Sequence, residues 1–162
     1  VQDKLITYPE AITRALTMDV NRYINASTDP VSFVHEVLAD GQRVDPLWLG
    51  FVENVQAINA LVDADVKGFP VLLPADVPRH VQTHHQWDGG TQRPVAADDY
   101  QHVATILNAP DSLRSGTPEN GHERVIASKV IAGETFRAVF EVRSGKKNRG
   151  LALVTMAVKT AK

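Results

Sequence analysis

The segment Val77-Pro78-Arg79-His80-Val81-Gln82-Thr83-His84-His85 gathers three of the chain's six histidines into nine consecutive residues. His80 and His84 are four apart, so in a helix both side chains lie on one face, one turn above the other. Imidazole titrates near neutral pH without outside help, which suits a group that must both take up and release a proton. Two histidines at this spacing also occur on zinc-binding helices, but the glutamate expected beside the first is replaced by Val81, and no third ligand is indicated among His102, His122 or the carboxylates. Proton transfer is therefore the chemistry to test, with no metal and no cofactor expected. The alternative is a set of ordinary surface histidines.

Two other features could act with such a group. Arg143, Lys146, Lys147 and Arg149 fall within seven residues, the one dense positive cluster in a chain of net charge −2. Such a cluster can hold phosphates by charge and by the bidentate hydrogen bonding of arginine; the bland reading is a solubilising hairpin tip. Thr155 lies in Leu151-Ala152-Leu153-Val154-Thr155-Met156, where strand alternation predicts the same face as Leu151 and Leu153. Its hydroxyl would either bond backbone or reach a substrate phosphate.

The elements that must position these residues are legible in the spacing of apolar residues. Ile12, Leu16, Val20 and Ile24 recur every four residues between Pro9 and Asn25, predicting an amphipathic helix. Asp29-Pro30 opens a second helix through Leu38, stopped at Asp40-Gly41. Pro46 to Val62, with Leu47, Trp48, Phe51, Val52, Val55, Ile58 and Leu61, reads as a third and the most apolar. Phe69 to Leu73 is short and bounded by breakers, and is read as a strand. Pro74-Ala75-Asp76 then starts the histidine helix, and Asp88 to Pro94 forms a loop. Ala97-Asp98-Asp99 leads into a helix ending near Asn108. Beyond the turn-rich Ser115 to His122 the period changes to two. Arg124 to Ala132, Thr135 to Arg143 and Leu151 to Lys159 read as strands, joined by a tight hairpin at Ala132-Gly133-Glu134-Thr135 and by the basic hairpin Ser144 to Gly150.

These elements amount to an α+β domain, N-terminal helices followed by a largely antiparallel four-stranded sheet packed against helices. The division expected is a helical extension over 1–65 and the core domain over 66–162. With 162 residues, 43% of them hydrophobic, the chain is neither disordered nor globally basic. It contains no cysteine, which excludes disulfides, thiolate nucleophiles and cysteine-ligated zinc. No membrane span or signal peptide is apparent, so a soluble protein is expected. The start at Val1 favours a processed chain or a fragment of a longer one. No nucleotide-binding glycine loop, serine nucleophile elbow or glycosidase carboxylate pair is present.

The order of parts carries a resemblance. A short strand, the helix Asp76 to His85, a helix ending Ile106-Leu107-Asn108-Ala109-Pro110-Asp111-Ser112-Leu113, then Phe136 to Arg143 and Leu151 to Met156 resemble a phage-associated branch of the barnase, EndoU, colicin E5/D and RelE superfamily, over about residues 66–159. Such domains occur at the C-terminus of Mu-type phage head morphogenesis proteins. The resemblance implies a metal-independent endoribonuclease, with helix histidines His80, His84 or His85 facing the sheet residues Arg143 and Thr155, and with Lys146, Lys147 and Arg149 binding substrate. It implies single-stranded or tRNA-like RNA as the partner, cut to a 2′,3′-cyclic phosphate, in a bacterial cytoplasm or on a virion. A toxin with a cognate immunity protein shares that chemistry. A catalytically inactive head or minor capsid domain, contacting other phage head proteins, is the competing implication.

Overall fold

The computed structural model describes residues 29–40 and 44–160. The expected helix between Pro9 and Asn25 lies outside them. Among the described residues the order is α1 (Pro30–Ala39), β1 (Leu47–Phe51), α2 (Val55–Asn59), β2 (Pro70–Leu73), α3 (Val77–His84), β3 (Gln92–Arg93), a 3-10 helix (Ala97–His102), α4 (Val103–Asn108), β4 (Ser112–Ser115), β5 (Arg124–Ile131), β6 (Glu134–Arg143) and β7 (Gly150–Lys159). The fold is α+β, as expected.

Among the described residues the sheet has seven strands rather than four, in the order β1-β2-β7-β6-β5-β4, with β3 also pairing β7. Only β2 and β7 run parallel among these pairs; the others are antiparallel. The two short strands β3 and β4 lie where the sequence reads as loop and turn, because two to four residues are too few to establish a period of two.

The helix expected over Pro46 to Val62 does not form. Gly50 adopts φ of +116°, outside the helical region, and Leu47 and Trp48 pair with Leu73 and Leu72. The turn that follows is held by Asn108 of α4, whose Oδ1 accepts from Glu53 N at 2.8 Å and whose Nδ2 donates to Phe51 O at 3.2 Å. Leu47, Val52, Ile58 and Val62 still reach the core, so the apolar pattern was read correctly as burial and wrongly as one continuous helix. By contrast α1 begins as expected: Pro30 occupies the first turn, and the Asp29 carboxylate accepts from Ser32 N at 2.8 Å.

One apolar core lies on one side of the sheet. Phe33, Val34 and Val37 of α1, Val77 and Val81 of α3, Tyr100, and Val103, Ile106 and Leu107 of α4 pack with the inward residues of the strands, among them Phe136, Phe140, Leu151, Leu153, Met156 and Val158. Residues on both sides of position 65 contribute to it, and β1 joins the sheet through β2. The second buried apolar cluster is only Leu72 with Ala152, on the other face.

Two local devices shape the sheet. A tight hairpin forms between β5 and β6 as expected, but its turn is the two residues Ala132 and Gly133, at φ of 52° and 80°, closed by the pair Ile131 and Glu134, one residue earlier than the Ala132–Thr135 span suggests. Gly150 lies where β7 meets β2, and a Cβ there would sit 2.9 Å from both Pro70 O and Leu72 Cδ1. Backbone on one side cannot yield, so Gly150→Ala should destabilise the protein by about 1–3 kcal/mol. Urea unfolding checks this, and an unchanged midpoint would contradict it.

The β3 segment is fastened by charge. Arg93 donates to both oxygens of Asp99, each at 2.9 Å, and to Glu134 at 2.6 and 2.9 Å, tying β3 to the 3-10 helix and to the start of β6. Asp99 is 7% exposed and also accepts from Ala96 N at 2.7 Å. The paired guanidinium holds the Glu134 carboxyl below the ordinary carboxylate range. Because the folded value is depressed, this contribution is complete above the unfolded value and is lost as pH falls through the folded one. Arg93→Ala should cost about 1–3 kcal/mol, tempered by partial exposure. Glu134→Gln should lose less stability than wild type on acidification; equal acid sensitivity in thermal melts would contradict the linkage.

Candidate functional site

Position 85 is where the histidine helix ends. His85 takes φ of −122° and ψ of 54°, outside helical geometry, while its N–H still donates to Val81 O at 2.9 Å. One turn beyond the buried Val81, its ring lies away from the solvent side of α3. His84 remains on the helix, exposed, with its Nδ1–H donating to His80 O at 3.0 Å. The His80 and His84 rings stack with centroids 4.5 Å apart, and His80 meets His85 edge-on at 6.1 Å. All three imidazoles therefore form one cluster.

The sheet residue that meets this cluster is Thr155. Its Oγ1 lies 2.7 Å from His85 Nε2, a hydrogen bond joining residues 70 positions apart in sequence. Two features of β7 make this possible. First, β2 pairs β7 at Leu151 and Ala152, and β3 pairs it at Val158 and Lys159, leaving the edge between them for α3, the element that connects β2 to β3. Second, Val139 opposes Thr155 while its neighbour Phe140 opposes Leu153, so Val154 is an extra residue in β7. The bulge reverses the alternation. Leu151 and Leu153 face the core, as do Met156 and Val158, while Thr155 turns to the other face. The expectation that Thr155 shares a face with Leu151 and Leu153 is therefore corrected.

That other face is rich in arginine. Across β4 to β7, cross-strand pairing puts Arg114, Ile126, Val139 and Thr155 in one row, with Ser112, Ser128, Arg137 and Ala157 in the next. Arg124 and Glu141 are paired on the same face, which Arg143 also shares. Arg137, exposed and without a hydrogen bond or ion pair among the described residues, is diagonal to Thr155 at about 7 Å between backbones. Burial pushes the His85 imidazole below its ordinary range, and the charges of His80, His84 and Arg137 push in the same direction. All of these favour the neutral form of the His85 ring.

The remaining expected site residues lie elsewhere. Arg143 is on the same sheet face but four residues along β6 from Val139, about 14 Å. Its Nε donates to Glu141 Oε2 at 2.6 Å, within a chain of charges that continues through Arg124 to Glu119. Lys146, Lys147 and Arg149 are exposed on the loop beyond that end of the strands, and the Arg149 guanidinium stands 5.7 Å from the centre of the Phe69 ring. The structure brings together His80, His84, His85 and Thr155, and does not bring Arg143 or the basic hairpin to them. Arg137 was missed, although its place in the alternating run Phe136-Arg137-Ala138-Val139-Phe140 already sets it opposite the core-facing residues.

No protein-family model, curated protein or solved structure matches the chain. Among the described residues no helix is long and apolar enough to cross a membrane.

The charge environment of His85 gives a direct test. His80→Gln and Arg137→Gln each remove positive charge near His85 and should raise its pKa toward the ordinary histidine value, with burial keeping it depressed. Proton NMR titration of the ring resonances measures this; an unchanged or further lowered value would contradict the proximity. With a depressed folded value, the neutral His85 stabilises the fold above the unfolded pKa, and that contribution is lost as pH falls through the folded pKa.

Proposed function

We propose that this chain is a metal-independent endoribonuclease-like domain whose site lies at His85, Thr155, His80 and Arg137. The observation that carries the reading is the 2.7 Å contact between His85 Nε2 and Thr155 Oγ1 at the margin of an arginine-bearing sheet face. A depressed imidazole pKa supports the role of base, because a free nitrogen lone pair is then available at neutral pH. The resemblance of the order of parts in the sequence to the barnase-like superfamily favours the same reading, as does a sheet whose helices contribute their buried residues to the other side.

In this scheme Thr155 donates to the unprotonated Nε2 until substrate arrives. The ribose 2′-hydroxyl then takes that position and gives its proton to Nε2 as its oxygen attacks the adjacent phosphorus. The bond from phosphorus to the 5′-oxygen breaks, and His80 supplies the proton to the departing oxygen. Ring centroids 6.1 Å apart allow the two imidazoles to flank one phosphate. Arg137 stabilises charge growing on the non-bridging oxygens, and the freed Thr155 hydroxyl donates to one of them. The products are a 2′,3′-cyclic phosphate and a 5′-hydroxyl. Arg114, in the row of Thr155 but three strands away on β4, extends the positive face toward neighbouring phosphates.

The test is cleavage of single-stranded RNA in EDTA with analysis of the ends. His85→Ala should lower kcat/KM by about 10²–10⁴-fold, and Arg137→Ala by about 10²–10³-fold. Lys146→Ala and Lys147→Ala should change little. DNA should resist cleavage for want of a 2′-hydroxyl. Cleavage of DNA, inhibition by chelator, or full activity in His85→Ala would each defeat the proposal.

A further inference from the structure

We propose that Trp87 is a stacking platform for the base next to the phosphate held at His85, which makes unpaired RNA the substrate class; this rests on the ribonuclease reading of the site. The chain has two tryptophans, and the structure treats them differently. Trp48 on β1 packs edge-on against Phe51 at 5.2 Å, and its indole N–H donates to Gly50 O at 2.8 Å. Trp87 is 57% exposed, and among the described residues its ring has no aromatic partner and its N–H no acceptor. A large aromatic surface left in water contributes little to the fold and is well suited to a partner with a flat face.

Its backbone is nevertheless held. The Asp88 carboxylate accepts from Gly90 N at 2.8 Å and from Gln92 N at 3.2 Å, and Gln92 Nε2 donates to Gln86 O at 3.0 Å. The far end of the loop is pinned to β7, where Thr160 N donates to Thr91 O at 2.7 Å. Trp87 is thus carried on a loop fixed at both ends, one of them the His85 contact with Thr155. One residue, Gln86, separates the tryptophan from His85, so their Cα atoms are at most about 7 Å apart. That is the distance from a backbone phosphate to the base beside it, within reach of an indole side chain. Stacking uses the face of a base, which a continuous duplex keeps covered, so the platform selects unpaired strands with little regard to sequence.

The experiment uses Trp48→Phe, which leaves Trp87 as the sole tryptophan, titrated with a short 2′-O-methyl oligouridylate that cannot be cleaved. Binding should quench Trp87 fluorescence. Trp87→Ala should weaken the Kd, followed by anisotropy of a labelled oligonucleotide, by about 5- to 150-fold. Trp87→Phe should recover most of the loss, and a duplex of equal length should leave the fluorescence unchanged. Unquenched fluorescence with equal Kd for Trp87→Ala, or no binding by the wild type, overturns the platform. Cleavage of unmodified RNA is scored separately: quenching without cleavage keeps the platform and removes the nuclease, while cleavage without quenching does the reverse.

Discussion

One surplus residue, Val154, sets the character of this molecule. β7 lies between β2 and β6 and must keep Leu151 and Leu153 in the core at one end and Met156 and Val158 at the other. Those two pairs are out of phase for a regular strand, and the bulge reconciles them. Its by-product is a threonine turned to the opposite face beside a free stretch of strand edge. A slip of one residue there would exchange core and solvent sides for half the strand.

The site follows from that constraint together with the ending of α3. Position 85 stands one turn beyond the buried Val81, on the inward side of α3, and His85 reaches the sheet from there, whereas His84 stays exposed beside His80. Burial at that position lowers the pKa of the ring, and the charges of His80, His84 and Arg137 act in the same direction. Beyond it, the Asp88 turn and the Arg93 clamp to Asp99 and Glu134 carry the chain back into the sheet. The segment from His80 to Arg93 is therefore tied into the fold along its length, and a site spread over helix, loop and strand can keep one geometry.

Much of this was legible in the residues. Asp29-Pro30, Ala132-Gly133 and the alternating runs of β5 and β6 identify their own elements because cap, turn and period agree at each. Pro46 to Val62 misled because a strand, a turn and a short helix can bury apolar residues at nearly helical intervals; Gly50 was the available warning. The histidine cluster was found from its spacing, but which ring reaches the sheet depends on which face of α3 is inward, the face of Val77 and Val81 that position 85 continues. Thr155 was found for its neighbours and assigned the wrong face, since a bulge leaves no mark on composition. Arg143 was singled out with the basic cluster and Arg137 was not considered, and only the cross-strand register shows that the former is occupied by Glu141 and the latter lies near the imidazoles. Pairing between distant segments is the information that a local pattern lacks.

The state of one ring nitrogen tests this account most directly. Long-range proton–nitrogen NMR on uniformly ¹⁵N-labelled protein at neutral pH reports whether His85 Nε2 carries a hydrogen. The account predicts an unprotonated Nε2 accepting from Thr155, with the proton on Nδ1, and a change in the Nε2 shift in Thr155→Val. A protonated Nε2, or a His85 spectrum indifferent to Thr155→Val, would contradict it.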